Sequence, residues 1–146
     1  ESSFKKTSLK NMSRCIGIDL GSKRVGLALS DKMNMIASPY KTLIFKNEQD
    51  LLNQLRLIIV DFKVKTIVLG LPLNMNGEDS AQTKKVREFK SELSIFNLPI
   101  KLEDERLSSV SAKRSLVMQD IKTGHNKSEI DKRAAAIILQ QFLDKK

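Results

Sequence analysis

The apolar positions of this chain repeat with two periods, which divide it into helices and strands. Leu51, Leu52, Leu55, Ile58, Ile59 and Phe62 recur at helical spacing and predict one continuous apolar face over 48–62. Asn47 stands as the N-cap, with Glu48 and Asp50 in the first turn, where the helix dipole favours anions. Val86, Phe89, Leu93 and Phe96 predict a second helix that starts near Asp79 or Ser80. A third, capped by Ser108 or Ser109, carries Val110, Ala112, Leu116 and Val117. The last, over 129–143, contains the run Ala134 to Leu139, apolar almost all round, which predicts deep burial. Between these lie the strand patterns. Ile16 and Ile18 alternate with Gly17 and end on Asp19; Val25 to Leu29 is a second apolar run, and Tyr40 to Phe45 alternates as a third. Thr66 to Leu71 is unbroken, as in a central strand covered on both faces, and Leu98 to Leu102 is short.

Short connections join the first three strands, which predicts an antiparallel meander. Gly21-Ser22 reverses the chain between the first two, glycine being able to adopt φ > 0 without steric cost. Met33, Met35 and Ile36 in the second connection are expected to pack on the domain edge. Right-handed crossovers then place the first, fourth and fifth strands parallel and adjacent, giving an α/β sheet of five strands in the order 3-2-1-4-5. In that order the ends of the first and fifth strands, with Asp19 and Glu105, point the same way, and the start of the last helix brings in Asp131. A carboxylate at the inner end of an apolar strand is costly to bury unless it is paired. Asp19 alone reads equally well as a turn cap, and its neighbouring glycines as room for a ligand to approach the backbone. Glu103-Asp104-Glu105-Arg106 packs three acids together, which points to a cation between them or to strong hydration. Asp131 alone is an ordinary acid in the first turn of a helix. Three carboxylates converging on one sheet edge are the donor set of a hard divalent cation, Mg²⁺ or Mn²⁺.

Composition narrows the chemistry further. The single cysteine, Cys15, excludes an internal disulfide and the usual zinc clusters, and it reads as a core residue in a protein of a reducing compartment. With one histidine, His125, a Ser-His-Asp triad is disfavoured, so any catalysis falls to carboxylates. Lysine and arginine outnumber the acids 26 to 17, for a net charge of +9, which favours a polyanionic partner, nucleic acid before membrane. Lys84, Lys85, Arg87 and Lys90 lie off the apolar stripe of their helix, as a solvated face or a backbone-contact surface. Lys122, His125 and Lys127 make the loop over 120–128 basic. No apolar run approaches the ~20 residues that span a bilayer. Residues 1–14 read as a disordered basic arm, a cloning remnant or the end of an organellar transit peptide. Residues 15–146 read as one domain.

The pattern resembles the ribonuclease H-like nucleases, and within them the YqgF branch, the RuvX-type proteins proposed to resolve Holliday junctions. The resemblance rests on Gly17-Ile18-Asp19-Leu20-Gly21-Ser22-Lys23-Arg24-Val25-Gly26-Leu27-Ala28, on Gly70-Leu71-Pro72-Leu73-Asn74-Met75-Asn76-Gly77, on Asp104-Glu105-Arg106-Leu107-Ser108-Ser109, and on Asp131 followed by Ala134-Ala135 and Ile138-Leu139. Ser22 stands where the family usually has threonine, which keeps the hydroxyl. The resemblance implies a nuclease that matures the precursor of small-subunit (16S) ribosomal RNA, with branched DNA as the alternative substrate. It also implies that Asp19, Glu105 and Asp131 are the catalytic, metal-binding acids of a two-metal endo- or exonuclease. Lys23, Arg24, Arg106, Lys127 and Lys132, beside these acids, read either as a track that holds phosphates or as charge balance for the acids. The expected location is the cytoplasm, or an organellar matrix if the arm is a transit remnant; a monomer and a homodimer are both compatible. Two other readings stand beside it. A binding module of the same fold would keep the basic surface without catalysis. The segment Ile18-Asp19-Leu20-Gly21-Ser22 also looks like the phosphate loop of the actin, Hsp70 and sugar-kinase superfamily, whose two-lobed clamp exceeds this chain.

Overall fold

The computed structural model describes residues 13–105 and 127–145. Its elements run β1 (Arg14–Leu20), β2 (Arg24–Ser30), β3 (Ala37–Ile44), α1 (Glu48–Asp61), β4 (Val64–Leu71), α2 (Ala81–Leu93), a 3₁₀ turn (Ser94–Phe96), β5 (Ile100–Asp104) and α3 (Lys127–Asp144). The sheet order is β3-β2-β1-β4-β5, with β1–β2 and β2–β3 antiparallel and β1–β4 and β4–β5 parallel. This is the expected topology. The helix predicted from Ser108 or Ser109, residues 120–126 of the predicted loop, Arg106 and residues 1–12 of the predicted arm lie outside the described residues. Arg14, assigned to the arm over 1–14, instead begins β1, where strand pairing takes it in.

Strand alternation separates two cores. Ile16, Ile18, Val25, Leu27, Ile67 and Leu69 face α1 and α2, whose Leu51, Leu55, Val86, Phe89 and Leu93 complete that layer. On the other face Cys15, Ala28 and Val68 meet Ala135, Ile138 and Leu139 of α3, which crosses β1, β2 and β3. Both helices on the first face start where expected, the first at its predicted cap Asn47 and the second at Ser80. Asn47 accepts from the Asp50 amide, and Ser80 forms a reciprocal capping box with Thr83. Thr83 Oγ1 also donates to the Pro72 carbonyl, tying the loop after β4 to the start of α2.

Several expectations are corrected. Met33, Met35 and Ile36 are 65%, 67% and 63% exposed and do not pack on the edge: the Asp31 carboxylate accepts from the amides of Met33, Met35 and Ile36, so the loop is shaped by hydrogen bonds. Gly21 does not supply a positive φ; among the described glycines only Gly77 does, at 87°. What Gly21 supplies is space, because its amide donates to the Arg24 carbonyl and a Cβ there would sit 2.7 Å from that oxygen. Lys127 and Ser128, placed in a loop from the sequence, belong to α3, which puts Asp131 one turn deeper than the first. Among the described residues no helix is long and apolar enough to cross a membrane.

Candidate active site

Three glycines on the α3 face of the sheet set the geometry of the carboxyl edge. Asp19 of β1 pairs directly with Gly26 of β2. Ile18 pairs with Leu69 of β4, so the next step sets Asp19 beside Gly70. Alternation turns Asp19 to the same face as Gly17, Gly26 and Gly70, away from Ile18 and Leu20. Gly26, Asp19 and Gly70 therefore form a row across three adjacent strands, ~4.8 Å apart. Each glycine in the row is a seat. A Cβ on Gly26 would overlap the Asp131 carbonyl, and one on Gly70 would lie 3.3 Å from Glu105 Oε2 and 2.6 Å from Ile138 Cδ1. Further in, a Cβ on Gly17 would lie 2.7 Å from Leu139 Cβ. The space at Gly17 and Gly26, expected to admit a ligand, is filled by α3, and that at Gly70 by Ile138 of α3 and by Glu105. The outcome is that Asp131 lies over β2, Glu105 lies over β4, and Asp19 stands between them. The structure brings the three predicted carboxylate residues to one stretch of one sheet edge.

The side chains at this edge are not equivalent. Arg24 Nε lies 2.8 Å from Asp131 Oδ2, in an ion pair whose side chains are 37% and 23% exposed. Arg24 and Asp131 are thus partners across 107 positions, the charge-balance alternative for Arg24. Asp19 and Glu105 are half-buried, neither sealed in the core nor fully in water. Among the described residues no three His, Cys, Asp or Glu side chains converge closely enough to hold a metal ion. The donor types do fit a hard divalent cation, all being carboxylates, with the Glu105 carboxylate seated over the neighbour of Asp19.

The predicted cations divide by position. Lys23 is exposed in the β1–β2 turn. Lys132 pairs with Glu129 at 2.8 Å, and together with Arg133 it holds the Glu129 carboxyl below its usual range. Lys127 lies in the first turn of α3, and Arg106 falls outside the described residues. On α2, Arg87 grips Asp79 through two nitrogens, at 2.8 and 3.1 Å, whereas Lys85 lines a cavity beside the β1–β2 turn.

One of the three consecutive acids serves the fold. Glu103 points into the α3 layer, where its carboxylate accepts from Lys145 Nζ at 3.0 and 3.1 Å and from Gln141 Nε2. The grouping of Glu103, Asp104 and Glu105 around one cation is therefore corrected, because alternation along β5 gives Glu103 to the helix. Sequence reasoning missed this clamp and the glycine seats. Gly26 and Gly70 at one level of the strands on either side of β1, with Gly17 two residues further in, were the available signal, since glycine inside a strand marks a close approach.

The model of a family described as RuvX, Holliday junction resolvase, matches residues 13–145. A Dictyoglomus thermophilum protein named "Putative pre-16S rRNA nuclease" is 39% identical over 132 residues, covering 90% of this chain and 95% of that one. One from a Geobacillus species, with the same name, is 41% identical over 136 residues, 91% of this chain and 99% of its own. Among solved structures, Thermus thermophilus RuvC in complex with a Holliday junction substrate superposes with a TM-score of 0.59 at 10% identity, over 91% of this chain and 94% of that one. The fowlpox virus Holliday junction resolvase gives 0.55 at 8% identity, over 91% and 99%. These last two likenesses show the ribonuclease H-like fold.

Proposed function

The chain belongs to the RuvX family, and from that membership we propose that it is a nuclease that hydrolyses phosphodiester bonds in the precursor of 16S ribosomal RNA. The observation that supports it most is the row Gly26–Asp19–Gly70, which collects Asp19, Asp131 and Glu105 on one edge. Asp19, Glu105 and Asp131 would hold divalent cations, Mg²⁺ or Mn²⁺. Such ions supply a water activated at neutral pH and neutralise the charge that develops on the leaving oxygen. The chain's own contribution is placement. Asp19 is fixed by its pairing with Gly26 and by that of Ile18 with Leu69 one residue before it, and Glu105 by its seat on Gly70. Arg24 keeps Asp131 at the edge and faces it with a guanidinium able to take a phosphate in two-pronged fashion. Exchange of Asp131 for a phosphate on Arg24 would release the carboxylate to the cations as substrate arrives, linking binding to assembly of the site.

The test is cleavage of labelled precursor 16S RNA with and without Mn²⁺ or Mg²⁺, by the native protein and by Asp19→Asn. Loss of an outer-shell group around a metal site costs roughly 10–100-fold, so loss of a direct ligand is expected to lower the metal-dependent rate by at least about 100-fold. Equal rates from the two proteins would remove the assignment. Two further readings share the assay. The family's description favours branched DNA, so a four-way junction is run beside the RNA; symmetric cutting of two strands would require a dimer. The pairing of Asp131 with Arg24, away from any three-carboxylate group among the described residues, favours a binding module. Binding without metal-dependent cleavage of either substrate would establish that role.

A further inference from the structure

On the face of the sheet opposite Asp19, a cavity of about 200 Å³ opens at the same end of β1. Its rim is the turn Leu20, Gly21 and Ser22, the residues that directly follow Asp19. The cavity thus begins one residue beyond the candidate catalytic carboxylate, across the sheet edge. A strand lying along that edge can keep its phosphate on the Asp19 side and turn a neighbouring base over to this one.

Size and lining say what fits. Pockets for drug-sized ligands run to ~300–1,000 Å³. This one has room for a single flat heterocycle while the ribose and phosphate stay outside. Its apolar lining includes Phe45, a partly exposed ring of the kind unpaired bases stack on, and the core ring of Phe89, only 3% exposed. Its polar groups are mostly acceptors. Gln82 Nε2 donates to the Leu20 carbonyl at 2.8 Å, which fixes the amide and leaves its oxygen as an acceptor beside the second N–H. Glu48 and Glu88 add carboxylates, and Lys85 is the one cation in the lining, suited to the outer phosphate.

We propose that this cavity receives one unpaired base of the strand being cut and prefers a base that presents adjacent N–H donors, guanine above uracil. The ring NH and amino group of guanine match a carboxylate or amide oxygen side by side; uracil presents mainly acceptors to an acceptor wall. The crowding of Glu48 agrees. Its carboxyl is raised to about 7, first by a hydrogen bond shared with Glu92 and further by the charges of Glu92 and Glu88. Once that proton leaves, the ionised carboxylates repel, and an N–H donor from a base would take the proton's place. The proposal rests on the nuclease reading for the strand, and specifies which nucleotide is chosen.

Binding is measured on the full chain in EDTA, by fluorescence anisotropy, with a labelled octamer of uridine and the same octamer carrying one central guanine. Guanosine 5′-monophosphate is added separately to the ¹⁵N-labelled protein. A favourable base contact is expected to give roughly tenfold tighter binding of the guanine octamer. The nucleotide should shift amides of 20–22, 45–48 and 82–89. Glu48→Ala, at an exposed position, and Phe45→Leu, which keeps an apolar side chain, should each bring the two octamers within about twofold, their amide spectra reporting that they remain folded. Equal affinity in the native protein, a preference that survives both substitutions, or shifts confined to other regions each overturn the base pocket and leave the nuclease reading in place. Binding of neither octamer at low salt overturns both. A guanine preference in a protein that cuts nothing sustains the pocket and removes the nuclease reading.

Discussion

At the scale of single residues, the candidate site depends as much on absent side chains as on the acids. Gly26 has no room for a Cβ, because the Asp131 backbone occupies that volume. A methyl forced into a packed layer costs ~1–3 kcal/mol and occasionally more. Gly26→Ala should therefore lower stability in urea titration by at least about 2 kcal/mol and displace Asp131, depressing cleavage beyond the loss of folded protein. If α3 yields without cost, the seat has been misread. Arg24→Ala separates the two effects. Its ion pair with Asp131 is partly exposed, and such pairs contribute ~0–1 kcal/mol, so the midpoint should barely move while RNA affinity falls. A second residue-scale prediction concerns pH. Glu48 is held at about 7, against an ordinary 4.5, first by its hydrogen bond with Glu92 and then by partial desolvation and the nearby charges of Glu92 and Glu88. Between those values the folded chain carries a proton that the unfolded chain has lost. The stabilisation is complete below about 4.5 and disappears as pH rises through 7. Thermal melts at pH 5 and pH 8 should show a larger drop for the native protein than for Glu92→Gln; equal drops would mean the carboxyls do not share a proton. The acids themselves were legible in the sequence because a carboxylate ending an apolar strand is conspicuous. The Arg24–Asp131 pair was not legible, since contacts across 107 positions follow from the packing of α3 on β2, which no local pattern carries.

Among the elements, α3 is the one that assembles the site, and it is held at both ends of its sheet-facing surface. Near its start Asp131 meets Gly26 and Arg24; near its end Gln141 and Lys145 close on Glu103. The Glu103 side chain is only 4% exposed, so removing its cation leaves a buried carboxylate supported mainly by Gln141. Breaking a fully buried pair costs ~3–5 kcal/mol, and an exposed one ~0–1. Lys145 is itself 63% exposed, which places Lys145→Ala between the two, at about 1–3 kcal/mol in chemical denaturation. Glu103→Gln in the same background should recover part of the loss, because it removes the unpaired charge and keeps a hydrogen-bonding group for Gln141. Failure to recover would mean that Lys145 acts through packing alone. Elements were read well where periodicity is strong: α1 begins at the predicted Glu48, and β4 was recognised from its unbroken apolar run. They were read less well where polar residues mark the boundary. The start of α3 was set two residues late because Lys127 and Ser128 look like loop, and β3 begins at Ala37, earlier than its alternating core, because pairing with β2 extends it through Pro39.

For the whole molecule, the net charge of +9 is informative only through where it acts. Lys23, Arg24 and Lys132 surround the carboxyl edge, and Lys85 stands at the adjoining cavity. At the opposite end of the sheet, Arg56, Lys63 and Lys65 line a separate groove with Ile59, Val60 and Phe96. A polyanion attracted by total charge would use both ends equally, whereas a strand presented to Asp19, Glu105 and Asp131 must engage the first set. Each phosphate neutralised on a single strand contributes about −0.7 to the slope of log K against log salt. Three or four contacts at the carboxyl edge then give a slope of about −2 to −3. Lys23→Ala should reduce its magnitude by about 0.7, because that lysine is exposed and its loss disturbs no packing. Lys63→Ala with Lys65→Ala should leave the slope where it was. Binding titrations from low to moderate salt, in EDTA, measure all three proteins under conditions where nothing is cut. A flat response in the native protein would remove the phosphate track altogether. A slope that falls equally in both variants would assign the attraction to overall charge, and the cations around the edge would then have no positioning role beyond holding Asp131 and Glu129.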